Sequence, residues 1–253
     1  MQGVLAALLN SLEIGLLLAV IAAGLNIVFG VLGVINFAHG SLYMLGAYFA
    51  FALTSYLGLS FWPALLLAPL AVAVVAVVIE KLALQHVYGR DIADSLLITF
   101  ALLLVIDDAV RIVWGAGIHV VPPPAALRGT VELFGALYPR YSLFVIVAAL
   151  LAMAGLWLFF LRTRAGRIVR AAAIDRRMAE AVGINVPLVI TGVFALGAWM
   201  AGIAGVIAAP MRAIVPAMGD RIIIDAFIVV VIGGLGSFPG TLLGALILGG
   251  IYG

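Results

Sequence analysis

From Leu12 to Gly33 the chain runs for 22 residues with a single charge, Glu13, and a single amide, Asn26. A helix of about 20 such residues spans the ~30 Å hydrocarbon core of a bilayer. Similar runs recur at Phe37–Leu57, Pro63–Leu82, Ser95–Val113, Ser142–Leu161 and Pro187–Met211. A shorter one covers Ile222–Gly234, and Thr241–Gly253 begins an eighth that ends after 13 residues, too few to cross. The runs are long and unbroken rather than ten-residue alternating segments, which argues against a barrel. Composition agrees, with 66% apolar and 9% charged residues, against about 45–50% and about 25% in soluble domains. Lipid is therefore the solvent for much of this surface. The expected fold is an all-α polytopic membrane protein of about eight transmembrane helices. It forms a single membrane domain over residues 1–253.

Arginine placement sets the orientation. The segment from about 162 to 186 holds Arg162, Arg164, Arg167, Arg170, Arg176 and Arg177, and basic residues in short loops stay on the cytoplasmic side. Two spans earlier, Lys81–Asp94 falls on that side too, with Lys81 and Arg90. The loop from about 114 to 141 is then outside with the N-terminus, and Pro122-Pro123-Pro124 holds part of it extended. The N-terminus has no basic region ahead of its apolar run and does not read as a cleaved signal.

Several function classes are excluded. There is no cysteine, hence no disulfide or thiolate chemistry. A formal charge of +2 gives no nucleic-acid partner. Lys81 is the only lysine and no Gly-rich run precedes it, so the chain has no phosphate-binding loop and no ATPase site of its own. His39, His86 and His119 lie on separate segments without metal-ligand spacing, and no nucleophile-elbow serine occurs. No catalytic residue, bound cofactor or metal is expected.

Four places carry polar or helix-breaking signals. In Asn36-Phe37-Ala38-His39-Gly40, polar side chains sit between two apolar spans, with Gly33 and Gly40 permitting a break. The segment reads either as a pathway wall or as an interfacial turn. From Ala171 to Val182, small and apolar residues alternate with Asp175, Arg176, Arg177 and Glu180, predicting a short amphipathic helix. Gly183 stops it and Pro187 opens the next span. This stretch reads as a basic inner loop or as a docking helix. Asp107 and Asp108 lie four and three residues before Arg111, so either can pair with it; a structural ion pair outweighs a proton relay, and Glu13 and Asp225 are read likewise. Finally Gly233, Gly234, Gly236 and Gly240, with Pro239, predict a tight turn between close-packed helices. Gly30–Gly46 and Gly233–Gly244 also share a faint echo of glycine spacing, of the kind that internal repeats leave in transporters.

The run Gly24-Leu25-Asn26-Ile27-Val28-Phe29-Gly30-Val31-Leu32-Gly33-Val34-Ile35-Asn36-Phe37-Ala38-His39-Gly40, continued by Tyr43-Met44-Leu45-Gly46-Ala47-Tyr48, resembles the signature of LivH-type permeases, membrane subunits of branched-chain amino acid ABC importers. Arg162–Arg167 with Arg170-Ala171, Met178-Ala179 and Gly183-Ile184-Asn185 resembles the family's coupling loop. Ala226-Phe227 through Gly233-Gly234-Leu235-Gly236-Ser237 to Pro239-Gly240 resembles its late Gly-rich block. The resemblance implies an ABC importer permease fold in a bacterial inner membrane. It also implies a periplasmic binding protein, a LivM-type second permease and two cytoplasmic ATPases that use ATP. Asn36, Phe37, His39 and Gly40 would then line the translocation pathway. Asp175, Arg176, Arg177, Met178, Glu180 and Gly183 would contact an ATPase, and Gly33, Gly233, Gly234, Gly236 and Gly240 would serve as helix breaks or packing points. The alternatives are a stand-alone secondary transporter or channel, or the same family with a urea, amide or aromatic acid substrate.

Overall fold

The computed structural model describes residues 2–133 and 136–253. Helix α1 (Gln2–Leu32) comes first, followed by α2 (Ala38–Phe51), which widens into a π turn over Ala52–Tyr56. There Thr54 Oγ donates back to the Ala50 carbonyl at 2.8 Å, a bond that loosens the regular ladder. Next are α3 (Phe61–Leu82), α4 (Ile92–Trp114) and α5 (Arg140–Arg162). Two short helices, α6 (Arg164–Ile174) and α7 (Arg176–Ala181), precede α8 (Val186–Ala208), α9 (Met218–Gly233) and α10 (Phe238–Tyr252). All eight apolar runs are thus helices of a multi-pass membrane protein.

Four of them, within α1, α3, α5 and α8, are long and apolar enough to cross alone. At ~1.5 Å per residue, α9 is only about 24 Å long, shorter than a ~30 Å hydrocarbon core. α1 is the hub. It packs against α10, α8, α5 and α9, while α8 also packs along α2 and α3. These crossings are made by backbone-to-backbone approach at glycines. A Cβ added at Gly24 would lie 2.7 Å from the Gly197 carbonyl of α8, and one at Gly46 2.5 Å from that of Gly202.

The loop between α4 and α5 contains structure that its prolines conceal. Strands β1 (Thr130–Leu133) and β2 (Ala136–Pro139) form an antiparallel hairpin, with Val131 opposite Tyr138. Tyr138 Oη donates to Glu13 Oε at 2.9 Å, tying the hairpin to α1. Burial, and next the bond to Glu13, push the Tyr138 phenol well above its ordinary pKa. His119 bridges Ile214 in the stretch between α8 and α9. Phe61, Trp62, Tyr141 and Phe144 cluster edge to face at this same end, a belt of the kind that marks a membrane interface. The arginine-rich segment lies at the opposite end of α1, where Arg176 reaches Val31.

Candidate functional site

The break between α1 and α2 is real and lies inside the bundle. Gly33 adopts φ +69°, which ends α1 with its N–H bonded to the Phe29 carbonyl at 2.8 Å. The chain stays non-helical through Asn36. Thr99 Oγ donates to the Ile35 carbonyl at 3.1 Å, and Thr99 is seven residues into α4, so the break sits ~10 Å along that helix. Such backbone survives at membrane depth only where protein or water covers it. Asn36 and His39 are fully buried. His39 Nε lies 3.1 Å from the Ile21 carbonyl in the middle of α1. Its other ring nitrogen, and both amide atoms of Asn36, have no protein partner. Gly40 is pressed against the Gly219 carbonyl. Of these four residues only Phe37 is partly open, with its ring centroid 5.2 Å from that of Phe227 and 6.4 Å from that of Phe100.

Those two aromatic neighbours define a cleft. α4 and α9 both pack on α2 but not extensively on each other, and Phe37 bridges them at the end away from the hairpin. Toward the hairpin end, Ser41 Oγ donates to Asp107 Oδ at 3.4 Å. Asp220 follows Gly219, whose backbone meets that of Gly40 and Ser41, and one of its carboxylate oxygens has no protein partner. Arg111 pairs with Asp108 at 3.7 Å, both of them exposed. The pairing left open by sequence spacing is therefore resolved: Asp108 takes the arginine and Asp107 turns inward. Ionised groups on the flank of a spanning helix are costly against lipid, so this face calls for protein or water beside it.

The arginine-rich segment departs from a single amphipathic helix. Asp175 leaves the helical region (φ −148°, ψ 104°) and its carboxylate accepts the Met178 N–H at 3.0 Å, starting α7 as an N-cap. The expected helix over Ala171–Val182 is split at that point, because an aspartate two residues past an alanine run competes better as a cap than as a helix interior. Gly183, at φ +87°, ends the segment as expected. Ile174, at the end of α6, is 87% exposed, and Met178 and Val182, four apart on α7 and its C-cap, are 62% and 69% exposed. Met178 and Val182 form a small apolar patch flanked by the exposed Arg177 and Glu180. Arg176 points the other way, donating to the Val31 carbonyl of α1 at 2.6 Å, two residues before the break.

The late Gly-rich turn is tight, as its composition requires. Gly234 and Gly236 lie at φ +88° and +82°, Gly233 meets Gly240 backbone to backbone, and Ser237 Oγ caps α10 by accepting the Gly240 N–H at 3.1 Å.

Against known proteins, the family described as the permease component of branched-chain amino acid transport systems matches residues 7–253. The chain belongs to this permease family. It is 33% identical to the high-affinity branched-chain amino acid transport permease BraD of Pseudomonas aeruginosa, over 96% of this chain and 83% of that one. Identity to LivH of Escherichia coli is 32%, over 95% and 82%. Identity to LivM of the same organism is 27%, over 90% and 59%. No solved structure matches.

Two polar residues of the permease escape sequence reading. Asn26 Nδ donates to Thr241 Oγ at 2.6 Å and to the Ser237 carbonyl at 3.0 Å, and its Oδ accepts the Gly236 N–H at 2.6 Å. It therefore locks the late turn onto α1. Glu80, 1% exposed, accepts from Thr191 at 3.0 Å and Tyr88 at 3.3 Å, joining α3 to α8 at the arginine-rich end. Apart from Tyr88, their partners are far away in sequence, and a lone amide or carboxylate in an apolar run gives no local sign of them. Replacing Asn26 by Leu leaves the Gly236 N–H unpaired and takes one donor from the Thr241 hydroxyl, which keeps its own bond to the Ser237 carbonyl. The expected cost is about 1–3 kcal/mol, read as a lower melting temperature of the purified permease in detergent. An unchanged melting temperature would show that water replaces the amide.

Proposed function

We propose that this permease is one membrane-spanning subunit of an ATP-driven importer of branched-chain amino acids in a bacterial inner membrane. A periplasmic binding protein delivers the ligand at the hairpin end, a LivM-type permease completes the pathway, and two cytoplasmic ATPases engage the arginine-rich end. The observation that carries this reading is the Arg176–Val31 contact. It joins a short helix with an exposed apolar patch to the end of α1 just before the helix break. A push on α7 from an ATPase is thereby transmitted to Gly33–Phe37 and so to the floor of the α4–α9 cleft. The cleft is the favoured pathway wall. Phe37, Phe100 and Phe227 offer an apolar surface at its inner end, and Ser41, Asp107 and Asp220 offer polar groups above it. Asn36, His39 and Gly40, enclosed behind Phe37, hold the break in shape. The relatives are described as branched-chain amino acid permeases, which favours that substrate class over urea, amides or aromatic acids.

The test is a mild-detergent purification from native membranes with mass spectrometry of the copurifying chains. A second permease and at least one ATPase with a phosphate-binding loop are expected. Recovery of this chain alone, as monomer or homo-oligomer, would replace the importer with a stand-alone transporter.

A further inference from the structure

α5 and α10 both pack along α1 yet not extensively against each other. A groove remains between them with α1 as its floor. It holds two cavities. One, of about 320 Å³, is lined by Leu150, Met153, Leu242 and other wholly apolar side chains. The other, of about 270 Å³, lies toward the arginine-rich end and includes Ala23, Phe160, Leu161 and Arg170. Trp157 and Phe238 line both, their ring centroids 5.0 Å apart. Along α5, from Leu150 to Leu161, the two cavities with the Trp157–Phe238 pair between them together span ~16 Å, about half of a ~30 Å hydrocarbon core and so the depth of one leaflet.

The polar end of the groove is also built. Thr163 caps α6 by accepting the Gly166 N–H at 2.9 Å, and Gly166 packs on the backbone of Phe159 and Phe160. α6 is thereby folded back on the end of α5, with Val169 and Ala172 buried and Arg164, Arg167 and Arg170 exposed. Spaced by three, these arginines share one side of the helix. Arg170 donates to the Phe160 carbonyl, which fixes its guanidinium at the mouth of the groove with further N–H donors free.

We propose that this groove holds an acyl chain of an anionic phospholipid, whose phosphate is bound by Arg170, Arg167 and Arg164. Both halves of the ligand are specified: apolar cavities that together span the depth of one leaflet, and a cluster of fork-shaped cations beside their mouth. A protein helix is a poor occupant, because with its side chains it is ~10 Å across and each cavity has only a few hundred Å³. The site is separate from α7 and does not depend on the transported substrate.

The test uses the full chain in detergent with phosphatidylglycerol or phosphatidylcholine of identical acyl chains. Native mass spectrometry is expected to show preferential retention of phosphatidylglycerol, and only that lipid should raise the melting temperature. The R164A/R167A variant, which leaves the Arg170–Phe160 contact in place, should keep its fold and lose phosphatidylglycerol retention by roughly an order of magnitude. Met153→Trp should block retention of both lipids by filling the cavity it lines. Equal retention of the two lipids by the unmodified chain would overturn the proposal, as would full phosphatidylglycerol binding by R164A/R167A or by Met153→Trp.

Discussion

Alanine at Arg176, Arg177 and Glu180 together is expected to abolish copurification of the ATPase while the permease still inserts and folds. Arg177 and Glu180 are exposed on a six-residue helix, so removing them costs the permease itself little. On an interface they would flank the exposed Met178 and Val182, where charge sets orientation and partner choice. Arg176 behaves differently when changed alone. Its guanidinium holds the Val31 carbonyl, and a charge-assisted bond of this kind is worth about 1.5–3 kcal/mol. Arg176→Ala should therefore keep the ATPase bound but lower uptake of labelled leucine per bound ATPase, because the link from α7 to the break is cut. Affinity copurification and whole-cell uptake, run in parallel, separate the two effects. If the triple variant still brings down the ATPase at full yield, α7 is not the docking element.

Local signals in the sequence survive into the structure, and long-range ones do not. The eight helical runs are visible as apolar stretches, four of them long enough to cross on their own. Gly33, Gly183 and Gly234 are legible because a helix end needs a residue tolerant of positive φ. The split at Asp175 is harder: the flanking alanines favour helix, and only the Met178 N–H that the carboxylate accepts tips the balance. The β-hairpin at residues 130–139 is hidden by its proline-rich approach and held by Tyr138 reaching Glu13, a partner 125 residues distant. The same distance problem hides Asn26. For the break itself, composition leaves a pathway wall and an interfacial turn equally open. The structure adds that Asn36 and His39 are enclosed and Phe37 faces the cleft. A hydropathy pattern cannot make that distinction, because the side of a break that faces a neighbour depends on where α4 and α9 sit.

Gly40→Val is expected to give no folded permease, and Gly40→Ala very little. A Cβ at Gly40 would collide with the Gly219 carbonyl and lie 2.9 Å from Ile223 Cβ, and a Cβ at Gly219 would strike the Gly40 carbonyl in return. Both obstacles at the backbone are carbonyls, so no rotamer change relieves them. α2 cannot retreat, because Gly46 lies against Gly202 and Gly205 against the Tyr43 carbonyl on its α8 side. Forcing one methyl into such a contact costs about 1–3 kcal/mol in a well-packed core, and here the backbone itself must move. Displacing α2 from α9 also pulls Ser41 and Asp107 away from Asp220 and opens the enclosure around Asn36. Gly155→Ala is the matched control, since nothing lies within 4 Å of a Cβ there. It should be neutral or stabilising, by up to ~1 kcal/mol. The readout is the monodisperse fraction on size exclusion together with the melting temperature. If Gly40→Ala matched Gly155→Ala on both, the α2–α9 approach would be looser than its geometry requires, and the cleft floor could not be a rigid element that α7 moves.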